Sequence, residues 1–508
     1  MNPDRRHLLV PVAVLIAVMA VVSLVTRGSG AGEDGVAGGD GSSTTTSTTR
    51  PPPTTTTSTT PPTTIPAGPP TLVVTPEDDL AAMAAANPPE TTFVLASGIH
   101  RGGAITPRDG QIFTGRPGAV MSGAVVLTSF NERDGLWSAE GQPTEGRVHG
   151  QCDPDSPRCA HSEDLFIDDA VLHHVGSVGE VGPGSWHFDY PNDTVYLGDD
   201  PTGRVVELSA EPYAFHGDAD GVTISGLVIE KYAVPAQEGT IDSRRDRDDL
   251  IGGADWTITD NVVRWNHGVG IAATTGAVVR GNTVYENGQL GLAAKGAGVT
   301  FEDNEIYGNN TAGFSAGWEA GGSKFAFTSG LVVRNNYVHD NHGVGLWTDI
   351  DNIDTLYEGN RVIDNERMGI FHEISYDAVI TGNEVRGNGF GFDAWVWGAG
   401  IIVSTSVNVE VVGNTVEGNA DGIIGVQQDR SDAPASFGEL SLVNLAVHEN
   451  LVAGNGGWTG IGQDVGSNEV FTDLNNRFFD NSYQQEGLHF FWLNEERTFE
   501  EWVEFGLG

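Results

Sequence analysis

Basic side chains are scarce in this chain: 26 Lys and Arg stand against 69 Asp and Glu, a formal net charge of −43. Nucleic acid and anionic membrane surfaces would be repelled over a Debye length of about 8 to 10 Å, which excludes both as partners. A polyanionic glycan would need a local basic patch or bridging divalent cations, whereas a neutral glycan meets no such barrier. Cysteine is nearly absent. The only two, Cys152 and Cys159, enclose Asp-Pro-Asp-Ser-Pro-Arg. They are too few for a structural metal site, and in an exported chain they are expected to close a local disulfide. Charge is missing from Leu8 to Thr26, a run that at about 1.5 Å per residue nearly crosses a bilayer. Asp4-Arg5-Arg6 before it would keep the N-terminus inside. Two readings stand: an uncleaved anchor that is the chain's one membrane attachment, or a cleaved signal peptide ending near Val18-Met19-Ala20. In either case the bulk of the chain is exported, held at the cell membrane or secreted. Gly28 to Pro70 is nearly all Gly, Ser, Thr and Pro and cannot bury a core, so it is read as a disordered stalk.

Asparagine, by contrast, recurs at a fixed spacing. Nine times between Asn261 and Asn481 the chain repeats Asn-x-(Val, Ile or Phe)-x-x-Asn, with successive starts 21 to 36 residues apart. A basic unit of just over twenty residues with insertions marks a solenoid. After the second Asn each unit runs through Gly to an apolar residue, as at Gly291-Leu292, Gly345-Leu346 and Gly369-Ile370. A further apolar run closes the unit, as at Leu331-Val332-Val333. Three short β-segments per turn leave no room for helical crossovers, so the chain must wind as a coil whose strands pair in parallel about 4.8 Å apart. The asparagines suit the corners because they tolerate left-handed backbone and their amides can pair along the axis. All eighteen are read as structural.

These units resemble the parallel β-helix repeats of the pectate-lyase-like superfamily, over roughly Leu72 to Asn481. The resemblance implies right-handed coils. An earlier coil, Val222 to Lys231, fits the frame with Gly226 in place of the first Asn and Lys231 in place of the second. Trp318 to Lys324, Asn335 to Asp351 and Gly369 to Tyr376 are similar to a group of exported bacterial β-helix proteins without an assigned function. The polygalacturonase set of Asn-Thr-Asp, Gly-His-Gly and Arg-Ile-Lys is missing, as is the Asp-Pro-His of mannuronan epimerases, since Asp153-Pro154-Asp155 lacks the His. No catalytic residue carries over.

The expected fold is therefore all-β: a right-handed parallel β-helix with an N-terminal anchor (1–27), a disordered linker (28–70) and short helical end caps. Residues 71–130 form the first coils with a cap helix opened by Thr75-Pro76 and running through Leu80 to Ala86. Residues 131–210 break the period and read as an inserted β-hairpin module; 211–482 are the main helix and 483–508 its cap, with a short helix over Thr498 to Gly506.

Aligning units on the apolar residue after Gly puts Ile271, Leu292, Phe314, Leu346 and Ile370 in one inward column. Alternation then turns Trp347 and Phe371 outward, beside Asp349 and Glu373 on neighbouring coils. Trp318 and Trp397 sit in the long insertions flanking that face, with Glu319 and Lys324 close by. Rings can stack on sugars. Two carboxylates so close can act as acid and nucleophile, or Asp349 can share a Ca²⁺ with Asp351. A lyase needs a base that can be neutral, for which Lys295, Lys324, His339, His342, His372 and Tyr376 are the candidates. Blander readings stand beside each: acids are common on outward positions, rings can pack under loops, His372 has inward parity, and Lys324 can be a solvated loop charge. Asp349, Glu373, Glu319 and Lys324 are thus the catalytic candidates, and Trp347, Phe371, Trp318 and Trp397 the sugar-binding ones. The function expected is a monomeric glycan hydrolase or lyase acting on extracellular polysaccharide, with Ca²⁺ the one cofactor considered. The alternative is a non-catalytic cell-surface protein for glycan binding or adhesion.

Overall fold

The asparagines of the repeat stack into two buried ladders. Asn282 shows the pattern: its backbone N–H and its Nδ2 both donate to Asn304 Oδ1, at 3.0 and 3.1 Å, while Nδ2 also donates to the Ile258 carbonyl at 2.9 Å. The first ladder runs from Asn261 through Asn282, Asn304, Asn336, Asn360, Asn383 and Asn414 to Asn450. The second runs from Asn266 through Asn287, Asn309, Asn341, Asn365, Asn388 and Asn419 to Asn455. The left-handed residue, however, is not the Asn but the one before it: Asp260, Trp265, Asp303, Asn335 and Asp364 have φ of 54 to 58°, and Gly281, Gly308, Gly359 and Gly382 take the same place. The corner therefore divides its labour between a residue that turns the chain and an amide that satisfies the exposed peptide groups.

The computed structural model describes residues 69–244, 252–392, 394–484 and 489–507; the expected anchor and most of the stalk lie outside them. Among the described residues no helix is long and apolar enough to cross a membrane. Three long sheets of 13, 12 and 12 strands wind about one axis. One coil contributes Val278–Arg280 to sheet A, Thr283–Tyr285 to sheet B and Leu290–Ala297 to sheet C, and each pairs in parallel with the next coil. Val279 and Phe301 from sheet A, Val284 and Ile306 from sheet B, and Leu292, Leu346 and Ile370 from sheet C meet in one core.

Three details of register differ from the sequence expectation. In the earlier coil Val228 pairs with Val262, so Leu227 and Tyr232, not Gly226 and Lys231, stand opposite Asn261 and Asn266, and their N–H groups donate to the two side chains. The last motif also slips. Arg477–Phe479 joins sheet A, and Asn481 accepts from Asn450, the first Asn of its own motif. Third, Leu292 pairs with Ser323, not Phe314, because residues 310–320 loop out before sheet C resumes.

Both ends are plugged. The helix Leu80–Ala86 buries Leu80 and Ala84 against the first coil, and its cap is Asp79, accepting from Ala82 N, four residues later than expected. Thr75 instead donates to Asp78. At the far end Thr498 and Glu501 form a capping box for Phe499–Glu504, and Trp502 is fully buried against Phe478, Phe490 and Trp492.

Between them, Ala124–Leu127 to Val206–Ser209 form two small sheets around their own core, including Leu165, Trp186, Phe188 and Leu208. This side module is pinned to the β-helix by His267, which is buried with Nδ1 3.1 Å from Asp164 and Nε2 2.7 Å from the Cys159 carbonyl. Burial opposes charge on this ring, but Asp164 and the carbonyl outweigh it and the pKa lies above the usual 6.5. A folded pKa above the unfolded one gives stability that is complete below pH 6.5 and is lost as pH rises through the raised value. Denaturant midpoints should fall over that window in the wild type, and the fall should shrink in His267→Gln.

Candidate functional site

The shifted register changes what the outer face of sheet C displays. Ala293 pairs with Lys324, and Phe325 with Thr348, which sets Lys324 beside Trp347; Trp347 pairs with Phe371 and Phe371 with Ile402. Lys324 is thus a strand residue in the outward column, not a solvated loop charge. Its side chain is 9% exposed. The Nζ lies 2.9 Å from Asp349 Oδ2, 3.5 Å from Glu319 Oε2 and 4.2 Å from the centre of the Trp347 ring. Burial opposes its charge, yet the carboxylates of Glu319 and Asp349 outweigh burial and raise its pKa. Lys324 therefore stays an ammonium at neutral pH and cannot serve as the neutral base a lyase would need.

Glu319 arrives on the 310–320 loop and is held from behind: Gln237 Nε2 donates to its Oε2 at 2.5 Å and Gln289 Nε2 to its carbonyl at 2.8 Å. Its side chain is the most accessible of the three, at 15%. The loop is braced in turn by the disulfide joining Cys152 and Cys159, since Cys152 bridges to Phe314 and Ser315 N donates to the Gln151 carbonyl. Asp349 Oδ1 and Trp347 Nε1 are buried without a protein partner. Two unspent hydrogen-bonding atoms beside one ammonium mark a place where water or a ligand would be held.

Trp347 and Phe371 do not present rings to solvent. They are 5% and 3% exposed, stacked on each other at 5.4 Å, and roofed by Val396 and Trp397 of the long insertion after Asn388. Parity correctly turned them outward, but the insertion folds back over them. Trp318 and Trp397 remain half-exposed. Glu373, 2% exposed, is paired with Arg430 from the 428–441 segment, while Asp349 is paired with Lys324, so the two acids do not form a free carboxylate dyad. Asp351 Oδ1 accepts from Ser436 N at 2.9 Å, while Asp349 Oδ2 faces Lys324 Nζ. Among the described residues no three His, Cys, Asp or Glu converge as metal ligands. His372 is fully buried in the core with Nδ1 2.7 Å from Thr348 Oγ1, and burial lowers its pKa to about 3. Tyr376 is buried, its hydroxyl donating to the Gly438 carbonyl at 2.6 Å. His339 stacks on Tyr307 and Tyr337 outside sheet B, and His342 is exposed at the same corner. Lys295 is half-buried on sheet C.

Sequence reasoning missed Arg430 and Gln237. The 36-residue step from Asn414 to Asn450 was the one signal of an inserted arm that could return to the face.

The right-handed β-helix region family model matches residues 250–416. The three parallel sheets wound about one axis have the architecture that this model describes. The chain aligns with the tail spike protein of Salmonella phage epsilon15, 24% identical over 243 residues, which is 44% of this chain and 21% of that protein. The chain thus matches about a fifth of the length of that curated relative. Among solved structures, the β-helix superposes on the complex of XylC with xylose with a TM-score of 0.59 at 15% identity, covering 73% of this chain and 72% of that one. The A-module of Azotobacter vinelandii mannuronan C-5 epimerase AlgE4 gives a TM-score of 0.50 at 15% identity, covering 81% and 93%. At these identities the likeness is one of fold.

Proposed function

We propose that this β-helix is an exported carbohydrate-active protein that hydrolyses a glycosidic bond at the Glu319–Lys324–Asp349 cluster. The observation that carries the proposal is a single buried ammonium holding two carboxylates, one of them reachable from solvent, between the half-exposed Trp318 and Trp397. The two carboxylate oxygens lie 3.5 and 2.9 Å from the same Nζ, so they are no more than 6.4 Å apart, which is compatible with the roughly 5 to 5.5 Å spacing of retaining glycosidases. The folds superposed on this chain include one solved with xylose and one named as an epimerase of a polysaccharide, which supports the substrate class. Hydrolysis is favoured over elimination because Lys324 is held charged and His372, though neutral, is sealed in the core. Incubating the exported region with neutral and uronate polysaccharides, with and without Ca²⁺, should release new reducing ends and no unsaturated products. Silence across the panel would remove the enzymatic reading.

One observation favours a second reading, a surface protein that binds glycan without cleaving it: each acid on the face is already paired with a cation. Trp318→Ala separates binding from chemistry. Loss of a half-exposed stacking ring should weaken glycan affinity by about 1 to 2 kcal/mol, read as a roughly 5- to 30-fold rise in Kd by calorimetry. An unchanged Kd would place the sugar elsewhere.

A further inference from the structure

Lys231 stands at a left-handed corner, φ 61°, and its side chain is 2% exposed. It leaves the β-helix and enters the side module, where Nζ contacts Asp169 Oδ1 and Glu207 Oε2 and lies 3.9 Å from Glu230 Oε1. Two rings flank the amine, Phe166 of the module at 5.3 Å and Trp265 of the next coil at 5.4 Å. Glu207 is fixed by its strand and by Arg101, and its side chain is 6% exposed. Asp169 ends a tight turn in which Asp168 and Asp169 both have positive φ, and its side chain is 62% exposed. The proposed function uses none of these groups.

We propose that Lys231 and Asp169 condense into an intramolecular amide, with Glu207 as the catalytic proton carrier. The ammonium and the carboxylate together contain what the reaction needs. Lys231 Nζ gives a proton to Glu207 and attacks Asp169 Cγ, and the Nζ–Cγ bond forms. Glu207 delivers that proton to one Asp169 oxygen, a second proton follows from nitrogen, and the Cγ–O bond breaks to release one water. Charge is conserved, no electrons are transferred and no co-reactant is consumed. Fixing nucleophile and carbonyl in contact replaces a bimolecular encounter, an advantage that reaches effective molarities of about 10⁵ to 10⁸ M in well-oriented pairs. The rings and the strand around Glu207 keep bulk water from the amine, while the open side of Asp169 lets the product water leave. The bond would tie the module to the solenoid covalently, in a chain with only two cysteines to do so.

An ordinary buried ion cluster, with Arg101 and Arg264 sharing Glu207 and Glu230, is the competing description. Mass separates the two. The full chain, thiol-reduced and denatured, should weigh less than its sequence by one water, and protease digestion should yield a branched peptide joining the segments of Asp169 and Lys231. Lys231→Arg keeps the charge and Asp169→Ala keeps the lysine; both should weigh their full sequence mass, and Glu207→Gln should show little or no loss. Wild-type protein at full sequence mass, two unlinked peptides, or a water loss that persists in Lys231→Arg would overturn the proposal.

Discussion

Asp349→Asn and Glu319→Gln are each expected to lower glycan turnover by roughly 10² to 10⁴-fold, the range by which positioned acid–base groups accelerate such reactions. Amides keep the shape and one acceptor at each place, so loss of the carboxylate is the chief change. Asp349→Asn leaves Lys324 with Glu319 as its remaining carboxylate, and unpairing a buried charge is costly, up to about 3 to 5 kcal/mol. Its melting temperature must therefore be measured beside its kinetics, and kcat is read only where the variant is folded. Glu319→Gln should be milder in stability because its side chain reaches solvent and Gln237 still has an acceptor. If both residues act on the reacting bond, kcat falls and KM changes little. A rise in KM at unchanged kcat would make them binding residues only. Glu373→Gln is the contrast: its carboxylate is committed to Arg430, so its effect should be under about tenfold if Glu319 and Asp349 are the pair that acts.

The two sides of this face were not equally legible in the sequence. Trp347, Asp349, Phe371 and Glu373 follow a strict two-residue alternation from Leu346 and Ile370, and the structure turns all four outward as the parity requires. What parity cannot carry is the depth of cover. The insertion that supplies Val396 and Trp397 folds over the two rings, and Arg430 reaches Glu373 from an arm whose path depends on tertiary packing. Lys324 shows the other limit. Glycine followed by an apolar residue occurs at Gly313-Phe314 as well as on the strands, so the pattern took the loop for the coil and put Lys324 outside the column. Only hydrogen bonding between neighbouring coils selects Ser323 as the partner of Leu292. The corners were read for the right atoms and a partly wrong reason, since the amides stack as expected while the strained φ falls on the residue before each Asn.

That division of labour makes Asn360→Ala the substitution with the largest expected cost to stability. Asn360 is fully buried in the middle of the first ladder. Its Oδ1 accepts from Asn336 N and Nδ2, both at 3.0 Å, and its Nδ2 donates to the Val333 carbonyl at 2.8 Å and to Asn383 Oδ1 at 3.0 Å. Alanine is compatible with the backbone, because Gly359 carries the left-handed turn, φ 64°. The cost is therefore one of unsatisfied groups. Two donors on Asn336 lose their partner in a region closed to water, while Asn383 Oδ1 keeps the Asn360 backbone N–H at 2.9 Å. At about 1 to 3 kcal/mol for each orphaned group, partly relieved by relaxation, the loss should be on the order of 4 kcal/mol. Asn481→Ala, at the half-buried end of the array, removes the acceptor of Asn450 N and Nδ2 and the donor to the Val447 carbonyl, but water can substitute there, so the cost should be smaller, about 1 to 2 kcal/mol. Urea midpoints of the two variants measure the difference. Equal losses would mean that the ladder's middle is no more closed to water than its end. A small loss at both would mean that the paired strands, without the stacked amides, hold the coils in register.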